Sequence, residues 1–148
     1  NRKLSWHEAE SRIEEYYFPF HMHLKQLLIK NRSKFGYTVL IDCHSMPSNA
    51  QTLVSSKIMK LPDFVLGDLY GKSCDERIIH FIESFLDKKG YSVFRNSPYS
   101  GGFITQNYGR PKNNFHSIQI EINRALYMDE PTLQLHQLLQ QVLFLCHL

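Results

Sequence analysis

Four apolar or β-branched residues in succession, Thr38-Val39-Leu40-Ile41, run straight into a polar tip, Asp42-Cys43-His44-Ser45. Such a run reads as a strand, expected over 37–42 and covered on both faces, and beside strong helical patterns it points to a parallel sheet. Ligands bind at the carboxyl ends of strands in sheets of that kind. His44 stands at such an end, where a neutral imidazole nitrogen could hold zinc and Asp42 could orient the ring. A lone histidine after a strand is more often an ordinary loop residue whose hydrogen bonds are satisfied locally.

The rest of the chain supplies the helices. Ser5-x-x-Glu8 has capping-box spacing, and apolar residues recur from Trp6 through Ile13, Tyr17, Phe20, Leu24 and Leu28, so a long helix is expected over 6–31. Pro19 falls inside it and should kink or break it near Tyr16. A short strand is expected at Phe64-Val65-Leu66. A helix follows, opened by a second capping box at Ser73-x-x-Glu76, with Ile78, Ile79, Ile82, Phe85 and Leu86 inward and a stop at Gly90. A strand over 91–94 leads into Asn96-Ser97-Pro98-Tyr99-Ser100-Gly101-Gly102-Phe103, a turn that lets backbone approach a ligand. Alternation then marks a strand over 115–122, and 131–148 reads as a closing helix. The polar stretch 44–61 reads as a long functional loop. The order fits one α/β domain spanning 1–148.

Composition removes several classes of function. The formal charge is +3, with seventeen basic residues dispersed among fourteen acidic ones, so a nucleic-acid surface is not indicated. Cys43, Cys74 and Cys146 form no Cys-x-x-Cys pair, which argues against a disulfide framework and favours a reducing, cytoplasmic setting. No apolar run near 18 residues supports a membrane span. The chain opens on Asn1 rather than Met, so an upstream segment is to be expected.

Glu121 is the second singular residue, an acid inside Ser117-Ile118-Gln119-Ile120-Glu121-Ile122. A carboxylate among apolar neighbours needs a partner or a task. Burial would raise its pKa and a nearby cation would oppose that, leaving a base able to take a proton from water. A salt bridge to Arg124 explains it as well. Nucleophilic chemistry is less well supported: Cys43 and His44 are adjacent on a strand and face opposite ways, and Ser45 lacks a Gly-x-Ser-x-Gly elbow.

Taken in order, Asp42-Cys43-His44-Ser45-Met46-Pro47-Ser48, Pro62-Asp63-Phe64-Val65-Leu66-Gly67-Asp68, Asn96-Ser97-Pro98-Tyr99-Ser100-Gly101-Gly102 and Gln119-Ile120-Glu121-Ile122-Asn123-Arg124 resemble the N-formylglutamate amidohydrolase family. The likeness runs from the segment 16–21 through Leu126-Tyr127-Met128. It implies a zinc carboxypeptidase-like fold, a mostly parallel mixed sheet with helices on both faces, of which this chain is the C-terminal portion. It further implies Zn2+ held in part by His44, Glu121 as the base that activates water, and hydrolysis of N-formyl-L-glutamate to formate and glutamate, late in histidine breakdown. The two carboxylates of such a substrate call for arginine donors, so Arg95, Arg110 and Arg124 are candidates, with Tyr99, Gly101 and Gly102 shaping the pocket. Each arginine could instead be a structural ion pair or a surface residue, the more so Arg110.

The resemblance also places an early Pro-His-Ser-Gly-like motif and an Asn-Arg segment before Asn1, where the remaining metal ligands would lie. This chain is then either part of an enzyme acting on a small acyl-amino acid, or a non-catalytic remnant. In either case an exposed sheet edge favours self-association.

Overall fold

Pro19 shapes the first element of the computed structural model, which describes residues 2–48 and 61–136. Ser5 caps helix α1 (Trp6–Arg12): its Oγ accepts the Glu8 N–H at 3.2 Å, and the Glu8 carboxylate accepts the Ser5 N–H at 3.0 Å. Pro19 has no N–H to offer the preceding turn, and its ring crowds the carbonyls there. The helix answers by widening into π geometry over Ile13–Tyr17, then continues as α2 (Phe18–Phe35). The expected break is therefore a local loosening, and the helix outlasts its expected end at Asn31. Gly36, at φ 81°, closes it by giving its N–H to the Arg32 carbonyl at 2.8 Å.

Strand β1 (Thr38–Met46) follows at once, then β2 (Phe64–Gly67), helix α3 (Glu76–Lys88), β3 (Val93–Arg95), the short helix α4 (Phe103–Tyr108) and β4 (Phe115–Asn123). A small hairpin, β5 (Met128–Asp129) and β6 (Gln134–Leu135), closes the described chain. The main sheet has the order β1-β4-β2-β3, with β1–β4 and β2–β3 parallel and β2–β4 antiparallel, so it is mixed and mostly parallel. β2 is too short to pair with all of β4. Ser73 completes that edge, accepting the Ser117 N–H at 2.8 Å and donating its Oγ–H to the Ser117 carbonyl at 2.8 Å.

The sheet's two faces differ in chemistry. Phe64, Leu66, Ile118, Ile120 and Ile122 point to one side, where Ile79 and Leu86 of α3 close over them. Burying each of those two helical side chains stabilises the fold by about 1.5–3 kcal/mol. The other face carries Asp42, His44, Gln119 and Glu121, with Met46, Val65 and Tyr99 forming a smaller cluster at its end. Helix α4 lies on that polar face and meets α2, where His21 Nδ1 and the Tyr108 hydroxyl are 2.5 Å apart and their rings stack.

Several expectations need correction. β1 is not covered on both faces: it lies at the sheet edge and α3 sits over β2 and β4, so Ile41 is 41% exposed. A groove of about 990 Å³ opens there, lined by Val39, Ile41, Cys43, Phe81 and Ile82. The helical stripe of α1 and α2 is also largely open, with Trp6, Tyr16, Phe20 and Leu27 exposed and Leu28 buried. Periodicity marks a face as apolar without saying what covers it. Asp75 rather than Ser73 caps α3, because Ser73 is committed to β4. Residues 131–136 form a turn and strand instead of a helix, α4 was not anticipated, and most of the 44–61 loop together with 137–148 lies outside the described residues.

Candidate active site

Register alone brings the two singular residues together. β1 and β4 run parallel with His44 opposite Glu121 and Asp42 opposite Gln119, and side chains paired across adjacent strands share a face. Glu121 is 6% exposed while His44 is open to solvent, so a buried carboxylate backs an accessible imidazole. His44 Nε2 lies 3.1 Å from Asp42 Oδ2, and Nδ1 lies 3.9 Å from Glu121 Oε1. The imidazole thus stands between two carboxylates, Asp42 on its Nε2 side and Glu121 on its Nδ1 side. Glu121 takes a hydrogen bond from Gln119 Nε2 at 2.7 Å, while Arg124 is engaged elsewhere.

A turn of glycines forms one wall. At Gly67 on β2 a Cβ would come within 2.7 Å of the Gly101 N and the Ser100 C, so the 100–102 backbone lies directly on the sheet. Gly101 adopts φ 121°, a conformation side chains resist, and a Cβ on Gly102 would sit 3.2 Å from Gln119 Oε1. Tyr99 packs on Met46, Leu61 and Val65, the last of which is in register with Glu121. Thus Tyr99, Gly101 and Gly102 share the face of His44 and Glu121.

The arginines separate. Arg95 projects to the opposite face and binds Glu76 at 2.6 Å and Glu83 at 2.5 Å on α3, carboxylates that raise its pKa further. It is not brought to the site. Arg110 gives its Nη1 to the carbonyls of Gln106 and Gly109, ending α4. Arg124, just past β4, reaches Ser45 Oγ at 3.3 Å and lies 3.7 Å from Glu130. Glu130 in turn accepts the Ser48 N–H at 2.9 Å and the Ser48 hydroxyl, bonds that hold its carboxyl below the usual range. Arg124 thus ties the end of β1 to the closing hairpin, and Glu130 ties Ser48 of the following loop to it. The α3-side groove lies across the sheet from all of this. Gln119 escaped the sequence reading, although its spacing of two from Glu121 was the available signal.

Zinc normally takes three protein donors and a water. Among the described residues, no group of three or more His, Cys, Asp and Glu side chains is disposed to hold a metal. They offer the His44 imidazole between the Asp42 and Glu121 carboxylates, which is part of such a set.

A family model for N-formylglutamate amidohydrolase matches residues 1–128. The chain belongs to that family. N-formylglutamate deformylases from Pseudomonas putida and Pseudomonas aeruginosa are 35% and 36% identical to it, over 85% and 82% of this chain. Each match covers 46% of the relative, so the chain spans about half the length of these curated relatives. The crystal structure of N-formylglutamate amidohydrolase from Ralstonia eutropha superposes with a TM-score of 0.87 at 36% identity, covering 98% of this chain and 52% of that one. A gene product of Agrobacterium tumefaciens shares the fold at a TM-score of 0.59 and 17% identity, covering 84% of this chain and 47% of that one. No helix among the described residues is long and apolar enough to cross a membrane.

Proposed function

We propose that this chain carries the general-base half of an amidohydrolase site acting on an N-acylated acidic amino acid, N-formyl-L-glutamate above all, with formate and L-glutamate as products. One observation carries the reading: an open imidazole and a buried carboxylate sit in register on adjacent parallel strands, 3.9 Å apart. The relatives named as N-formylglutamate deformylases support the choice of substrate. In this reading Glu121 takes a proton from the attacking water, the water oxygen bonds to the formyl carbon, and the carbon–nitrogen bond breaks as the proton passes to the leaving amine. Asp42 holds the His44 ring so that Nδ1 is a donor to zinc, the other donors coming from outside the described residues. Zinc, when bound, supplies a Lewis acid for the acyl oxygen and a more acidic water. In the same reading Tyr99 and the Gly101-Gly102 backbone shape the substrate pocket, and Arg124 meets a substrate carboxylate. A zinc carboxypeptidase-like fold, a place in histidine breakdown and a cytoplasmic setting rest on the family likeness.

The donor set, incomplete among the described residues, favours a second reading, a non-catalytic family member that self-associates through the β1 edge. Metal analysis by mass spectrometry on the purified chain, paired with a formate-release assay, separates the two. About one zinc per chain with turnover is expected of the hydrolase. Metal content near zero without formate would leave the second reading.

A further inference from the structure

Gln119 is 6% exposed, lies two residues before Glu121 on the same face of β4, and donates Nε2–H to Glu121 Oε1 at 2.7 Å. The orientation of its amide is dictated, since a flipped carbonyl would place two acceptors against each other. Consequently Gln119 Oε1 points away, buried and without a hydrogen-bond partner among the described residues, into the wall made by Gly102. A buried carbonyl with no donor destabilises the fold. Gln119 therefore makes one bond and forfeits another, an arrangement that stability alone does not favour. What the bond it makes accomplishes is to fix a carboxylate.

We propose that Gln119 is a positioning residue for the general base, an inference that rests on Glu121 being the proton acceptor. Held at Oε1, the carboxylate has one orientation, and its other oxygen is left for exchange of the proton. Gly102 belongs to the same device: a side chain there would press on Gln119 Oε1 from 3.2 Å and shift the amide off Glu121.

Gln119→Met keeps length and volume while removing the donor and the orphaned carbonyl together. With zinc supplied, the variant is expected to lose roughly 10- to 100-fold in kcat, with KM within about twofold of wild type. Its unfolding midpoint should equal or exceed the wild-type value, which a merely structural glutamine would not give. In a Glu121→Gln background the same substitution should cost nothing more. An equal loss in both backgrounds, or a change confined to KM, overturns the proposal. Should the wild-type chain release no formate, the hydrolase reading is what fails, and Gln119 is then judged without turnover. Three-bond Cα–Cδ couplings of 13C-labelled glutamate report the Glu121 χ2 rotamer, which places the carboxylate: a single rotamer in wild type that averages in Gln119→Met supports positioning, and a single rotamer in both refutes it.

Discussion

Replacing Gly67 by alanine tests whether the glycine turn is pressed onto the sheet as described. The added Cβ would meet Gly101 N and Ser100 C at 2.7 Å and Ser100 O at 3.0 Å, about 0.7 Å short of ordinary van der Waals contact at the closest points. All three are backbone atoms, so no rotamer change relieves the contact. The turn must lift, and it is tied down by the Leu69 N–H, which bonds the Ser100 carbonyl at 2.7 Å. Forcing a methyl into such a place costs about 1–3 kcal/mol. For a chain of this size that is a fall of about 3–12 °C in Tm. Gly102→Ala is the matched control, because its one close neighbour is the end of a flexible side chain and its φ is ordinary for any residue. It should cost less than about 1 kcal/mol. Urea titrations followed by far-UV circular dichroism are the suitable assay, since the single tryptophan, Trp6, is 82% exposed and its fluorescence would report little. A Gly67→Ala midpoint within about 0.3 kcal/mol of wild type, or a control that matches it, would refute the packing argument.

Three further outcomes are expected. Ile118→Ala, at a fully buried position under α3, should lose about 2–5 kcal/mol in the same titration. His116 accepts the Asp75 N–H on Nδ1 at 3.2 Å, and burial, opposed by Asp75 and aided by Arg77, lowers its pKa; the stability this contributes is present above the unfolded value of about 6.5 and declines as pH falls below it, because the unfolded chain takes the proton first. Denaturation midpoints across that window should flatten in His116→Asn, which keeps an acceptor and removes the titration. Under the hydrolase reading, His44→Ala should lose bound zinc by mass spectrometry, whereas Glu121→Gln should retain it and lose several powers of ten in formate release.

Much of the fold was readable because local rules acted unopposed. Ser5 and Glu8 capped their helix as their spacing requires, Gly36 and Gly90 took positive φ after helices, and β4 formed over Phe115–Asn123, where the sequence placed a strand. Where a residue had two possible partners, the nearer was not always chosen. Ser73 had the spacing for a cap yet bonded across to Ser117, leaving the cap to Asp75. Arg95 looked available for a substrate carboxylate until α3 brought Glu76 and Glu83 to it.

The amino-acid order by itself set α1 to α3, β1 to β4 and the two residues that stand out, His44 and Glu121, because capping, turn geometry and periodicity are properties of neighbours along the chain. It also marked apolar faces on α2 and β1, which the tertiary structure leaves open. Only the folded sheet could decide that residues seventy-seven positions apart share a face at 3.9 Å, that Gln119 rather than Arg124 holds Glu121, and that Arg95 belongs to α3. Those outcomes depend on strand register and on which element packs on which face, and a one-residue shift of β1 against β4 would have sent His44 and Glu121 to opposite sides.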